Sequence, residues 1–213
     1  MFDSVAGRYD VVNDALSLGL DRRWRRRTAR TVKAKPGDLV LDLGAGTGKL
    51  SAQLDVGVRV VGVDLSAPML ALARERRSTL STVQGSAFRL PFREAIFDAA
   101  VSAFVLRNLA DLQPAFAELA RVVRRGGRVG LADITQPPIG LMRVLFNGYF
   151  GAAAPLLGQL VGRADAYRYL VRSVSTLPPA EEVCRMLGFV GFVSCRARPM
   201  AGGITTLWTA VRA

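Results

Sequence analysis

Gly44-Ala45-Gly46-Thr47-Gly48 sets three glycines two apart, directly after the apolar run Leu39-Val40-Leu41-Asp42-Leu43. Residues without a Cβ accept positive φ, so a turn of this kind lets the backbone come close to a ligand. Two carboxylates bracket it. Asp42 lies within the apolar run, and Asp64 follows sixteen residues after Gly48, at the end of the β-type run Val58 to Val63. A carboxylate at the second position can accept hydrogen bonds from a ribose diol, which suits a nicotinamide dinucleotide and an adenosyl cofactor alike. A carboxylate beside the turn favours a cationic ammonium over a pyrophosphate, and this inclines the choice toward S-adenosylmethionine. The glycine element carries little weight by itself. Ordinary roles compete with these: Asp42 and Asp64 as acids that cap backbone amides, and Met69 as a space-filling residue of its helix.

The elements that must position these groups alternate along the chain. Residues 1–35 read as helical and polar with Trp24 as an apolar anchor, and Pro36-Gly37 punctuates the entry to the first strand. The spacing predicts strands at 39–43, 58–63, 81–84, 99–103, 127–133, 192–197 and 205–211. It predicts a helix directly after Gly48, a helix capped by Ser66 and carrying Met69, Leu70 and Ala73 inward, and a helix from about Leu112 to Val123. Helices are also expected over Tyr167 to Val174 and from Pro178-Pro179 to Gly188. Strand–helix alternation implies crossovers, hence a doubly wound, mostly parallel seven-stranded α/β sheet that ends in an antiparallel pair. The expected organisation is one domain over 1–213, with a helical cap over 1–35 and a lid over 138–175.

A formal net charge of +12 and the arginine cluster Arg22, Arg23, Arg25, Arg26, Arg27 and Arg30 suit an acidic substrate, anionic lipid or nucleic acid, or simply a solvated helix face. The stretch Pro138 to Gly162 is almost wholly apolar, but its glycines and Pro155 break it into pieces short for a membrane span, which points to a lid or surface helices. The absence of histidine and the presence of only two cysteines, Cys184 and Cys195, leave no zinc-type ligand set, and no metal is expected. No secretory leader is read at the start, so the expectation is a cytoplasmic protein, peripherally membrane-associated at most, with both thiols reduced.

The run Val40-Leu41-Asp42-Leu43-Gly44-Ala45-Gly46-Thr47-Gly48 resembles the first motif of class I S-adenosylmethionine methyltransferases. A narrower resemblance rests on Phe2-Asp3-Ser4-Val5-Ala6-Gly7-Arg8-Tyr9-Asp10, Asn13-Asp14, Ser17-Leu18-Gly19 and Arg23-Trp24. It continues through Leu90-Pro91-Phe92, Phe97-Asp98, Leu106-Arg107-Asn108, Arg121-Val122-Val123, Gly126-Gly127 and Asp165-Ala166-Tyr167-Arg168-Tyr169-Leu170. Together these are similar to the ubiquinone/menaquinone biosynthesis C-methyltransferases over nearly the whole chain. The chain departs from that pattern in carrying Asp21 where the family usually has His, Arg124-Arg125 for Lys-Pro, Asp133 for Glu, and Ser86-Ala87 where relatives often have Asp-Ala or Asn-Ala.

The resemblance implies a Rossmann-like fold, S-adenosylmethionine as cofactor and C-methylation of a demethylmenaquinol or related prenylated quinol. It implies that Gly44, Gly46 and Thr47 hold the methionine part, Asp64 the ribose, and Ser86 with Ala87 the adenine; Asp42, Leu65 and Met69 complete the expected cofactor contacts. Methyl transfer from a sulfonium needs in-line positioning and an electron-rich acceptor, and needs no metal. With no histidine to serve as base, Arg107 is the expected stabiliser of a developing oxyanion, Tyr9 and Asn108 orient the ring, and Tyr167, Arg168 and Tyr169 form the substrate wall. Surface ion pairs of Arg107 with Asp111 and of Arg168 with Asp165 are the competing role. The partner expected is a small hydrophobic substrate and no nucleic acid, with peripheral membrane contact and a homodimer left open. Alternative functions are methylation of another small hydrophobic acceptor (phenol, polyketide or lipid), nucleic-acid binding through the arginine cluster, and nicotinamide redox chemistry in the same crevice.

Overall fold

The computed structural model describes Ser17 and residues 19–137, 140–148 and 176–213. The chain runs α1 (Asp21–Thr31), β1 (Leu39–Leu43), β2 (Arg59–Asp64), α2 (Ala67–Arg76), β3 (Leu80–Gln84), β4 (Phe97–Ala103), α3 (Leu112–Val122), β5 (Val123–Ile134), α4 (Leu141–Gly148), α5 (Ala180–Phe189), β6 (Phe192–Met200) and β7 (Thr205–Arg212). The strands form one seven-stranded sheet in the order β3-β2-β1-β4-β5-β7-β6. Pairings among β1 to β5 are parallel, and β7 runs antiparallel to both β5 and β6. The α/β class, the strand number and the antiparallel terminal pair therefore agree with the sequence.

Period-two alternation divides the core between the two faces. Leu41 and Leu43 join Phe116, Leu119, Leu187 and Trp208 under α3 and α5. Val40 joins Trp24, Leu50, Ala73 and Val101 on the opposite face, beneath α1 and α2. Helix α1 buries Asp21, Trp24, Arg25, Thr28 and Ala29 and crosses β5 at Gly130, where any Cβ would run into Thr31 and come within 3.0 Å of the Thr28 carbonyl. Close approach of helix to strand is what makes glycine necessary there.

Three features differ from expectation. No full helix follows the glycine turn; Ser51–Gln53 makes a single 3-10 turn. Only ten residues separate Gly48 from the start of β2, and Arg77 replaces helical hydrogen bonding by donating to the carbonyls of Ser51, Leu54 and Val58 at 2.5, 3.3 and 2.9 Å. Strand β5 begins earlier, at Val123, with its pairing to β4 shifting between Phe97 and Ala99. The cysteines are not separate thiols: Cys184 and Cys195 are joined in a disulfide, Cα atoms 5.5 Å apart. The chain reverses at Gly191, so α5 folds back along β6 and sets the two side chains opposite each other. Among the described residues no helix is long and apolar enough to cross a membrane.

Candidate active site

At the carboxyl ends of β1, β2 and β4, where strand order reverses, a cavity of about 300 Å³ opens in the crevice that doubly wound sheets use for ligands. The glycine turn forms its floor. Gly44 and Ala45 donate to the Val63 carbonyl at 2.8 and 2.9 Å, which ties the turn to the end of β2. A side chain at Gly44 would collide with Val105, whereas Gly46 faces open space and sits at φ +53°. Asp64 terminates β2 and accepts from Gly46 N–H at 2.8 Å through Oδ2 and from Ser66 N–H at 3.0 Å through Oδ1. Each oxygen keeps a free lone pair, and the half-buried carboxylate is fixed by two backbone donors in the cavity wall.

The far end of the cavity is lined by Leu65, Met69, Gly85, Ser86, Ala87 and Phe88. Ser66 caps α2 by accepting from Met69 N–H at 3.4 Å, so the cap and the apolar slot are one construction. Met69 is 2% exposed and serves core and lining together. Ser86 Oγ accepts from Phe88 N–H at 3.2 Å, which folds the 86–89 turn over the slot. Here the residues fit an adenosyl group: a flat apolar slot, a carboxylate with spare acceptors beside it, and a side-chain-free turn beyond.

The structure thus brings Gly44, Gly46, Thr47, Asp64, Leu65, Met69, Ser86, Ala87 and Asn108 into one lining. Two expected residues go elsewhere. Asp42 does not reach the cavity, because alternation along β1 turns it, with Val40, to the face under α1. It is fully buried, accepts from Ser51 Oγ at 2.5 Å, and leaves Oδ1 without a partner. Burial pushes its pKa up to about 6, against the lowering influence of the Ser51 hydroxyl and the Arg25 charge. Arg107 is not in the lining either, and it does not pair with Asp111. Its backbone N–H donates to Asp133 Oδ2 at 3.0 Å and its guanidinium pairs with Asp133 Oδ1, on a carboxylate with no exposure at all. Asp111 instead caps α3. Tyr9, Tyr167, Arg168, Tyr169 and Asp165 lie outside the described residues.

The sequence reading leaves out Phe88, Phe104, Val105 and Leu109 and takes Arg25 only as one of the arginine cluster, yet all five are in the lining. Arg25 had a readable signal. Asp21, Trp24, Arg25, Thr28 and Val32 fall at helical spacing on one stripe, so an acid–base pair four residues apart sits on the apolar face. Asp21 holds Arg25 Nε with both oxygens, at 3.0 and 2.9 Å, and Arg25 lies 4.8 Å above the Phe104 ring. Phe104 adopts φ +66°, a conformation that costs a non-glycine residue about 1–2 kcal/mol and aims the chain leaving β4 across the cavity mouth.

Comparison with known proteins agrees with this geometry. Residues 1–212 match the ubiE/COQ5 methyltransferase family. A demethylmenaquinone methyltransferase of Beutenbergia cavernae is 42% identical over 97% of this chain and 87% of its own length. One from Mycolicibacterium gilvum is 39% identical over 100% and 93%. Among solved structures, a Haemonchus contortus phosphoethanolamine N-methyltransferase in complex with S-adenosyl-L-methionine aligns with TM-score 0.66 at 16% identity, over 100% of this chain and 60% of that one. A methyltransferase from Thermotoga maritima aligns with TM-score 0.64 at 15% identity, over 100% of both. These last two likenesses concern the fold. The chain belongs to the ubiE/COQ5 methyltransferase family and is an S-adenosylmethionine-dependent methyltransferase.

Proposed function

We propose that this enzyme methylates a ring carbon of a demethylmenaquinol or closely related prenylated quinol. The observation that carries the reading is similarity, over 97% or more of this chain, to relatives named demethylmenaquinone methyltransferase. When bound, S-adenosylmethionine supplies a sulfonium methyl whose bonding electrons stay on sulfur as the ring carbon takes the methyl and gives up its proton. Asp64 holds the ribose hydroxyls, Leu65, Met69, Ser86 and Ala87 enclose the adenine, and Gly44, Gly46 and Thr47 pass the methionine chain. Phe104, Val105 and Leu109 exclude water from the reacting face. Asn108 orients the acceptor from the turn Leu106–Asn108, whose shape Arg107 fixes through Asp133. Arg107 is thus a positioning residue in this reading. Tyr9, Tyr167, Arg168 and Tyr169 retain the acceptor-facing roles given to them by the sequence.

A prenylated acceptor has to be drawn from a bilayer, and the surface offers two features for peripheral contact. Leu141, Val144 and Leu145 are exposed on α4, and Arg22, Arg23, Arg26, Arg27 and Arg30 share the exposed face of α1. The test supplies purified protein with methyl-labelled S-adenosylmethionine and either a demethylmenaquinol in vesicles or a small water-soluble phenol. Label in the quinol ring is expected; exclusive labelling of the phenol overturns the substrate. Flotation with anionic vesicles at low salt, reversed at high salt, is the expected membrane behaviour.

A further inference from the structure

We propose that Arg25 is the anion-binding residue of the cavity, taking the carboxylate of the cofactor's methionine part, and that Asp21 positions it for this. The inference rests on the S-adenosylmethionine reading and separates Arg25 from the rest of the arginine cluster, whose other members are exposed.

Arg25 is 8% exposed, yet it lines the cavity. Both Asp21 oxygens engage Nε, and among the described residues no acceptor takes the Nη hydrogens. Those nitrogens are not among the fully enclosed unsatisfied atoms, and Arg25 is part of the cavity lining. A guanidinium removed from water with its fork unfilled is unfavourable by itself, and a ligand oxygen pair matches that fork bidentately.

Position selects which ligand oxygen. Arg25 belongs to the glycine-turn end: its charge reaches Asp42 beneath the turn, and Asp21 lies 3.9 Å from Lys49, which follows Gly48 directly. The adenine slot at residues 85–88 is at the other end, with Asp64 between. A nucleoside laid with its base in the slot and its sugar on Asp64 therefore carries its amino-acid tail to Arg25. The arginine is held on two sides, by Asp21 and by the Phe104 ring at 4.8 Å, and that ring itself packs against Trp24 at 6.1 Å between centroids. Little side-chain entropy is left to lose on binding.

An acceptor's phenolate oxygen is the other anion that could meet this guanidinium, and calorimetry separates the two. S-adenosylhomocysteine carries the carboxylate, and 5′-methylthioadenosine has the same nucleoside without it. Arg25→Gln is expected to weaken S-adenosylhomocysteine by about ten- to a hundredfold while leaving methylthioadenosine within about twofold, the range for a charge-assisted pair. Arg25→Lys should recover part of the loss, and provides a folded variant should the glutamine protein fail to fold. Asp21→Asn should weaken S-adenosylhomocysteine less than Arg25→Gln does. Equal loss of both ligands overturns the proposal, because Arg25 then only supports the fold. Unchanged S-adenosylhomocysteine affinity with a raised KM for the quinol also overturns it and assigns Arg25 to the acceptor. If the unaltered enzyme binds neither ligand, it is the cofactor reading itself that fails.

Discussion

Two guanidinium–carboxylate pairs face the Phe104 ring, Arg25–Asp21 with its guanidinium carbon 4.8 Å from the ring centre and Arg107–Asp133 with its own at 6.0 Å, yet only the first opens on the cavity. The Asp21 pair lies within one helix, four residues apart, and its arginine belongs to the cavity lining. The Asp133 pair joins the end of β5 to the turn after β4, 26 residues apart, and its carboxylate is wholly enclosed. On the proposed reading, the same pair of groups serves ligand binding where it borders the cavity and holds a turn to a strand where it is enclosed.

The sharpest way to break this contrast is Asp133→Ala. It leaves a guanidinium that is 7% exposed without its acid, and removal of one partner of a buried pair costs about 3–5 kcal/mol. Chemical denaturation should show that loss, clearly larger than for Asp21→Ala, whose partner can reach the cavity. Similar losses would mean that both pairs are architectural.

Asp42 probes the ground beneath the open pair. Its carboxyl is held at about 6 in the fold against an ordinary 3.8, so between those values the folded protein binds more protons than the unfolded chain. Stability should therefore fall as pH rises from about 4 to about 6, by about 3 kcal/mol in all from the 1.36 kcal/mol per pH unit conversion. Asp42→Asn removes the titration, and its advantage over the unaltered protein should grow across that window in urea unfolding at pH 4, 5, 6 and 7. A constant difference would show that Asp42 is ionised in the fold at no penalty.

Both the resemblance and the alternation of patterns made the sheet legible in advance, because each strand writes its own period and the glycine turn marks the switch point. The lining at Gly44, Gly46, Asp64 and Ser86 followed for the same local reason. Asp42 and Arg107 fall outside the described lining because their directions are set at long range. One follows from which face α1 covers, and the other from an acid on a strand that pairs with β4 only after the chain has folded. The absent helix after Gly48 depended on Arg77, and the disulfide on the fold-back of α5, neither of which has a local signature.

Asp64 separates ligand binding from the pairs altogether. Asp64→Ala deletes the acceptor expected to hold two hydroxyls, and loss of a charged hydrogen-bonding group of about 1.5–3 kcal/mol corresponds to about ten- to a hundredfold in affinity. Unlike Arg25→Gln, it should weaken S-adenosylhomocysteine and methylthioadenosine alike, since both contain the ribose. Selective loss of only the longer ligand would reverse the proposed orientation in the cavity.

The smallest effect belongs to Phe104, the ring between the pairs. Phe104→Leu keeps an apolar side chain at φ +66° but removes the face over which Arg25 lies, an attraction of about 0.5–2 kcal/mol depending on desolvation. Because Asp21 still clamps Nε, the expected outcome is a change of about 1 kcal/mol in stability and a several-fold loss of S-adenosylhomocysteine affinity, without loss for methylthioadenosine. Since Arg107 keeps its Asp133 contact from both backbone and side chain, the second pair should not register the substitution. An additive double variant with Asp133→Ala, together with a non-additive one with Asp21→Asn, would show that the ring is energetically coupled to the open pair alone.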